Sequence, residues 1–212
     1  MTDPVLLEVW SDFLCPWCYV GAFRIADLQD HYGDNILVTW KSYLLRPKAK
    51  AKSVDQFRDY TRRWVHTSGP GAVEPRAEYN VWGNAAPPTH SVPSAIAGKV
   101  ALSFGAEAFD AFHMALMKAY FTQNCNISDT TTILDVANTC GLDVDEFARL
   151  LQSQGASLQQ LVFDEMAEGV ELGVHAAPTV VLNGVLPIPG AQDLATYTTM
   201  IDRVIARRSL DA

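Results

Sequence analysis

The sequence has little of several features that would assign a protein to a class at once. Its 212 residues include only four cysteines, too few for a disulfide scaffold. No apolar run approaches the roughly 18 residues that a membrane-spanning helix needs. The first residues form neither a basic segment nor a leader-like apolar stretch, so we expect no signal peptide. These absences predict a cytoplasmic protein that does not act on membranes.

Charge is scarce and uneven. Charged residues are 19% of the chain and hydrophobic residues are 49%, which excludes global disorder. The formal net charge of −8 argues against nucleic acid or an anionic membrane as the main partner. Seven of the 16 basic residues nevertheless fall between Arg46 and Arg63. This run is either a solvated helix face with its adjoining loop or a docking patch for an acidic substrate.

Hydrophobic patterning predicts a strand, a helix and a second strand at the start of the chain. Residues 5–10 and 36–43 are short apolar runs rich in β-formers, and residues 16–31 have helical spacing. This order is typical of a parallel pair of strands with a crossover helix. Near the other end, the patterns predict a strand over 179–183, an Asn-Gly turn, a strand over 185–188 and a helix over 191–208.

The middle of the chain has the pattern of a helical block. A Gly- and Pro-rich stretch over 66–92 is expected to be a lid, a binding loop or a disordered segment. We therefore expect an α/β protein of order βαβ … ββα, divided into an N-terminal part (1–50), a helical insertion (51–154) and a C-terminal part (155–212). Helices are predicted over 53–64, 96–104, 109–120, 133–139, 143–151 and 158–172.

Cys15-Pro16-Trp17-Cys18 carries the sharpest chemical signal. It lies where the first predicted strand meets the first helix, and proline fits best at the first helical position. Free backbone N–H groups and the helix dipole at such a position stabilise the thiolate form of Cys15. Cys18 follows one turn later on the same face. The pattern predicts a nucleophile at Cys15 and a resolving thiol at Cys18.

Two simpler interpretations of the cysteine pair remain open. It is either a structural pair or half of a zinc site. Zinc needs about four ligands. Cys125 and Cys140 are isolated in sequence, and the five histidines form no second close pair, so we predict no metal. Cys125 and Cys140 are expected to be buried thiols or partners in a second disulfide.

The second signal is Ala177-Pro178, just before the late strand. A proline at a strand entrance ordinarily marks only a boundary. A cis peptide bond there would turn the backbone of Ala177 toward the sulfur atoms, where it would pair with a peptide substrate as an added strand does.

Together these motifs resemble the DsbA family of thioredoxin-fold oxidoreductases, and within it the FrnE-like branch. The resemblance is carried by Ser11 to Gly21, by the inserted helices, by Gly173 to Thr179 and by Gly190-Ala-Gln192. It implies a thioredoxin-like fold with a large helical insertion and a cis bond at Pro178. It also implies that the active-site residues are the nucleophile Cys15 and the resolving Cys18, with substrate contacts from Pro16, Trp17, Ala177 and Pro178.

The resemblance also indicates the direction of the reaction. The dipeptide Pro16-Trp17 lacks the histidine that lies beside the thiolate in DsbA itself. We therefore expect a less oxidising pair that rests as a dithiol and reduces or isomerises disulfides. The expected partner is a disulfide-containing protein or a small thiol. No cofactor is expected beyond glutathione as a co-substrate, and the oligomeric state is left open.

Two other functions remain compatible with this fold. One is a glutathione-dependent isomerase or transferase similar to hydroxychromene-carboxylate isomerases and kappa-class transferases, which usually have a single Ser or Cys at the first motif position. The other is a redox-gated binding or chaperone module.

Several further residues have weaker signals. Asp12 is expected either to transfer a proton during resolution or to bond to turn N–H groups. His175, three residues before Pro178, is expected either near the sulfurs or on a loop without a role. His90, in the long loop, is a weaker candidate for a residue that lines a substrate groove. The aromatic residues that would form an apolar groove over Cys15, or simply pack in the core, are Trp64, Tyr79 and Trp82.

Overall fold

The computed structural model describes residues 3–66, 69–83 and 86–210, and it confirms the predicted α/β order. The described residues form one four-stranded sheet of order β2-β1-β3-β4. β1 pairs in parallel with β2, and β3 is antiparallel to both of its neighbours. The strands are β1 (Val5–Ser11), β2 (Ile36–Ser42), β3 (Thr179–Leu182) and β4 (Leu186–Pro189).

Helices cover most of the remaining chain. Short 3₁₀ turns at Gly33–Asn35 and Arg62–Trp64 follow the first two helices. The predicted loop over 66–92 contains one short helix, and its positions 67–68 and 84–85 lie outside the described residues. The helices are α1 (Pro16–Tyr32), α2 (Val54–Thr61), α3 (Pro70–Val73), α4 (Val92–Leu102), α5 (Ala106–Phe121), α6 (Thr130–Thr139), α7 (Val144–Glu171) and α8 (Leu194–Leu210).

The alternation of β1 determines which helices cover each face of the sheet. Val5, Leu7 and Val9 are buried in one apolar cluster with residues of α1 and α8. Trp10 belongs to a separate buried cluster with Val174 and Val181. The indole N–H of Trp10 donates to a backbone carbonyl of α7 at 2.9 Å. The strand is therefore packed on both faces, and its end is held in place where the chain turns into α1.

The helical block differs from the sequence expectation at one point. The sequence predicts separate helices over 143–151 and 158–172, but the structure has one continuous helix, α7. Gly155 indicates a break, because glycine inside a helix costs about 1 kcal/mol relative to alanine. Burial of Phe147 and Val162 on either side of it offsets this cost. The predicted boundary between 154 and 155 falls inside α7. The division of the chain into three segments is not tested by this and stays a prediction.

The aromatic residues of the helical block form a core of their own. Trp64, Tyr79 and Trp82 are all buried, which makes them part of this core and not walls of an open groove. Trp64 packs edge-on against Tyr120 and Phe121, with ring centroids 5.7 and 5.2 Å away. Such pairs contribute about 0.5–1.5 kcal/mol beyond the burial of their area. Tyr79 and Trp82, which belong to the Gly- and Pro-rich segment, pack against Phe121 and Tyr120 with ring centroids 5.2 and 5.9 Å apart. These contacts fix the segment to α5.

A buried ion pair connects the helical block to the sheet. The ammonium group of Lys99 on α4 lies 2.6 Å from the carboxylate of Glu165 on α7. Lys99 also donates to the carbonyl of Trp40, and Glu165 accepts from the N–H of Ser42, both in β2. These hydrogen bonds stabilise the buried pair, because a buried charge without a partner costs several kcal/mol. Within the described part of the chain, no helix has the length and apolar character required to cross a membrane.

Candidate active site

Cys15 lies at the N-cap of α1, between the end of β1 and the first helical turn. Its backbone is extended, and Pro16 occupies the first helical position. The Cys15 sulfur accepts a hydrogen bond from the backbone N–H of Cys18 at 3.3 Å. The same N–H also donates to the carbonyl of Cys15 at 3.0 Å, so one donor of the helix start is shared between that oxygen and the sulfur. Its direction toward the sulfur favours negative charge there.

Cys18 is one turn further along α1 and is almost fully buried, with 1% of its surface exposed against 3% for Cys15. Burial raises the pKa of the Cys18 thiol well above its usual value. Its hydrogen bond to Cys15 and the charge of that neighbour raise the pKa further. All four cysteines are free thiols in the structure. Cys18 is therefore held as a protonated thiol beside the Cys15 sulfur.

The late loop meets the cysteines at Ala177 and Pro178, which are joined by a cis peptide bond. The Cys15 thiol donates to the carbonyl oxygen of Ala177 at 3.3 Å. The Pro178 ring packs on α1 at Gly21, where an added Cβ would lie 3.3 Å from the proline Cγ. A larger residue at this position would push the loop away from the helix, so Gly21 allows the close approach of Ala177 to the sulfur.

The two residues between the cysteines differ in their surroundings. The carbonyl of Pro16 accepts a hydrogen bond of 2.6 Å from the hydroxyl of Tyr79, a residue of the Gly- and Pro-rich segment. The side chain of Trp17 is 38% exposed, an unusual state for so large an apolar group directly beside two buried thiols. Tyr79 thus holds the motif against the helical block, and Trp17 offers an apolar surface at its edge.

Arg76 provides a second tether between that segment and α1. Its guanidinium forms a bidentate pair with the carboxylate of Asp27, with both contacts at 2.7 Å, and a further bond of 2.8 Å to Glu74. It also lies over the ring of Phe23, 5.1 Å from the centroid. The hydrogen bond from Arg76 holds the pKa of Asp27 below its usual value. Because Arg76 belongs to the Gly- and Pro-rich segment and Asp27 and Phe23 belong to α1, these contacts fix the segment on the helix that carries the cysteines.

Asp12 is buried within the turn between β1 and α1. Its carboxylate accepts from the N–H groups of Leu14 and Leu45, at 2.7 and 2.6 Å, and from the hydroxyl of Ser91 at 2.7 Å. Burial raises the pKa of Asp12, and the bond from Ser91 and the two backbone N–H groups counteracts part of that rise. Asp12 thus joins the turn before Cys15 to the chain after β2 and to the start of α4. Its predicted role in proton transfer stays a prediction.

Replacing Asp12 with alanine is expected to lower the free energy of unfolding by about 3 kcal/mol, because it leaves two buried donors and one part-buried donor without an acceptor. Urea unfolding at pH 7 measures this. Asp129→Ala is the matched control, since that exposed N-cap residue accepts one backbone bond and should cost about 1 kcal/mol. Equal losses for the two variants would contradict the role assigned to Asp12.

Neither candidate histidine forms a described hydrogen bond with a cysteine sulfur. His175 is exposed on the loop that leads to the cis bond, and within the described chain no hydrogen bond connects it to a cysteine. The ring of His90 is 2.9 Å from the hydroxyl of Thr89. The carbonyl of His90 accepts from the hydroxyl of Ser128. No described hydrogen bond therefore supports the auxiliary role of His175, which stays a prediction.

Cys125 and Cys140 are half-buried thiols in the helical block, and they are not joined in a disulfide. Cys125 follows α5, and Cys140 is the C-cap of α6. Burial raises the pKa of both thiols. Both groups are therefore poor nucleophiles at neutral pH compared with an ordinary thiol.

Two residues that support the site were not predicted from the sequence. Ser91 bonds to Asp12 from 79 positions away, and the only local signal is that it precedes a proline-containing helix start. Arg76 has no motif around it, although it fixes a whole segment on α1. Residues of this kind are defined by contacts between distant segments, for which a single sequence carries no signal.

The chain belongs to the family of DSBA-like thioredoxin domains, whose profile matches residues 6–202. Its fold is that of a DsbA-like oxidoreductase, as the sequence analysis expected.

Solved structures show the same fold over almost the whole chain. A candidate protein disulfide isomerase from Nitrosomonas europaea has a TM-score of 0.80 and 16% identity, and the match covers 97% of this chain and 99% of that one. The cytosolic disulfide reductase DsbM from Pseudomonas aeruginosa has a TM-score of 0.72 and 18% identity, with 97% and 98% covered. The curated ClpXP adapter protein SpxH from Bacillus subtilis is 25% identical over 209 residues, which are 93% of this chain and 67% of SpxH.

Proposed function

We propose that this protein is a dithiol–disulfide oxidoreductase of the FrnE-like branch that reduces or isomerises disulfides through Cys15 and Cys18. One observation carries the proposal. The Cys15 sulfur lies at the start of α1, accepts the N–H of Cys18 and contacts the carbonyl of Ala177. A nucleophile, a resolving thiol and a backbone group for the substrate thus meet at one point.

In the first step the Cys15 thiolate attacks one sulfur of a substrate disulfide. The substrate S–S bond breaks, a new S–S bond joins Cys15 to one half, and the other half leaves as a thiolate that takes a proton from solvent. Ionisation of Cys15 also ends its hydrogen bond to the carbonyl of Ala177. That oxygen then becomes free to accept an N–H of the substrate backbone as the sulfur becomes a nucleophile.

In the second step Cys18 attacks the Cys15 sulfur. The second half of the substrate leaves as a thiolate and takes up the proton that Cys18 gives up, so the substrate gains two electrons and the cysteine pair loses two. Formation of the mixed disulfide removes the charge of Cys15, which is one of the causes that raise the pKa of Cys18. The resolving thiol therefore ionises more readily once it is needed.

The other predicted site residues have roles around this exchange. Pro16 starts the helix, the exposed Trp17 offers an apolar contact to the substrate, and Ala177 with Pro178 presents the backbone edge. The reduced pair returns when two molecules of glutathione break the Cys15–Cys18 disulfide by exchange. The pair gains two electrons and two protons, and the glutathione leaves as glutathione disulfide. DsbM, a relative in fold, has been solved with glutathione, which supports glutathione as the co-substrate. That relative is described as cytosolic, in agreement with the cytoplasmic location that we propose.

Of two alternatives, only the second has specific support. A glutathione-dependent isomerase or transferase would use Cys15 alone, but it would leave the buried and hydrogen-bonded Cys18 without a task. A redox-gated binding module finds support in the relative SpxH, which is an adapter protein. In that case oxidation of the pair would change the affinity for a partner without catalytic exchange.

Turnover of a neutral peptide disulfide with glutathione as reductant tests the proposal. The wild-type chain is expected to release peptide thiols faster than glutathione does alone. Acid quenching during turnover should trap a species linked between Cys15 and Cys18, while Cys125 and Cys140 remain open to alkylation. An exchange rate equal to the uncatalysed one, with glutathione bound tightly, would favour the single-thiol alternative. No exchange and no glutathione binding would favour the binding module.

A further inference from the structure

A loop without acidic residues follows β2 and carries four cations, in a chain whose net charge is −8. We call residues 46–52 the cationic loop. Within the described residues, none of its four cations lies within 4 Å of a carboxylate, whereas Arg58 and Arg62 on α2 are paired with Asp55 and Asp59. The four cations of the loop are Arg46, Lys48, Lys50 and Lys52, of which Arg46 donates to the carbonyl of Pro88 at 3.4 Å.

The cationic loop is fixed in place beside the turn that carries Cys15. Ser91 N–H donates to the carbonyl of Arg46 at 2.9 Å, and Lys50 N–H donates to the carbonyl of Thr89 at 3.2 Å. The hydroxyl of the same Ser91 donates to Asp12, whose own carbonyl accepts from the N–H of Cys15 at 3.0 Å. Three hydrogen bonds thus lead from the loop to the nucleophile, and the loop is ordered along them.

Two aromatic rings hold the cations together. The guanidinium of Arg46 lies 5.6 Å from the ring centroid of Phe57 and 5.9 Å from that of Tyr60. The ammonium of Lys52 lies 5.7 and 5.2 Å from the same two rings. The pKa of Lys52 is lowered by its burial first, and then by the charges of Arg46 and Lys50. Arg46 also interacts electrostatically with the buried carboxylate of Asp12. The lysines of the loop have no such described counter-charge, so an anion from outside would relieve their repulsion.

We infer that the cationic loop binds carboxylate groups of the disulfide substrate, so that Cys15 exchanges preferentially with acidic peptide disulfides. This inference rests on the proposed function and adds the substrate class to it. Carboxylates flanking a disulfide occur in glutathione disulfide and in acidic protein segments, and both present the same chemistry to the loop. The net charge of −8 repels an anionic substrate, and the positive charge of the loop offsets this repulsion locally.

Synthetic peptide disulfides that differ only in the residues flanking the cystine test the inference. With glutamate in place of glutamine, kcat/KM of the wild type should rise about tenfold at low salt, because two or three exposed cations each contribute modestly. The gain should appear in KM and should shrink at 0.5 M NaCl, where charges are screened within a few ångströms. In Lys50→Gln/Lys52→Gln the glutamate-to-glutamine ratio should fall to about two or less. The exposed single variant Lys50→Gln should show an intermediate ratio.

The control removes the same charge elsewhere. Arg203 and Arg207 belong to α8, near β4 and far from the end of β1 that leads to Cys15. Arg203→Gln/Arg207→Gln should therefore keep the wild-type ratio. An equal fall of the ratio in both double variants would overturn the inference, because net charge alone would then explain it. A ratio near one in the wild type would overturn it as well.

Failure of the inference and failure of the proposed function give different results. If the wild type turns over the glutamine peptide but shows no preference for glutamate, only the inference fails. If it turns over neither peptide, the proposed function fails too. Glutathione disulfide, and a protein disulfide in an acidic segment, then distinguish the two sources. A salt-sensitive loss of kcat/KM in Lys50→Gln/Lys52→Gln with either one supports the inference and identifies that source.

Discussion

Replacing Cys15 with serine is expected to lower kcat/KM for a neutral peptide disulfide by about a thousandfold or more, to the uncatalysed rate. A serine hydroxyl at the N-cap keeps the helix start, since serine is among the best N-cap residues. It supplies no thiolate, however, so no mixed disulfide forms. The variant should therefore unfold at nearly the wild-type urea concentration while it loses exchange. Turnover with glutathione as reductant measures the loss.

Cys18→Ala is the matched variant, and it should give the opposite chemical outcome. Cys15 still attacks, but no buried thiol follows to release the second half of the substrate. Mass spectrometry should find a substrate half, or glutathione, bound covalently to Cys15. The same protocol applied to Cys15→Ser should find no adduct. Retention of turnover in Cys15→Ser, or an adduct on Cys125 or Cys140 in its place, would reject the assignment of the nucleophile.

Local signals in the sequence account for most of the framework of the site. Cys15 and Pro16 have the composition of a helix start, and the structure places them at the N-cap and first helical position. Asn183-Gly184 predicts a tight turn, and both residues have positive φ between β3 and β4. These features depend on backbone preferences of neighbouring residues, which a sequence carries directly.

Contacts between distant segments could not be predicted in this way. Of the three donors around Asp12, only the N–H of Leu14 makes the local turn contact that the sequence predicts. The other two come from positions 45 and 91, and nothing local indicates that they meet Asp12. The same holds for the hydroxyl of Tyr79, which reaches the carbonyl of Pro16 from 63 positions away. The continuity of α7 through Gly155 depends on tertiary burial, which overrides a weak local preference. Long-range packing thus decides how the predicted motif is supported.

A buried histidine behind the site links stability to pH. His113 on α5 is packed between the rings of Phe13, Trp40 and Phe109, with centroid distances of 5.1, 4.3 and 5.3 Å. Burial lowers the pKa of His113 to about 3. In the unfolded chain the same group has a pKa near 6.5. Between these values the unfolded state binds more protons than the folded state, so stability increases with pH across that window.

The wild type is therefore expected to lose about 2 kcal/mol of unfolding free energy between pH 7 and pH 5 through His113, and about 4 kcal/mol by pH 3. His113→Phe, which keeps an aromatic ring in the cluster, should lack this loss. Urea unfolding of both proteins at pH 7, 6 and 5 measures the difference in unfolding free energy. The comparison isolates His113 from carboxylates such as Asp12, whose raised pKa makes stability decrease as pH rises. His31→Gln removes an exposed histidine and should follow the wild-type curve. Parallel curves for wild type and His113→Phe would show that His113 takes up its proton in the folded protein, and its aromatic surroundings would then have to open in acid.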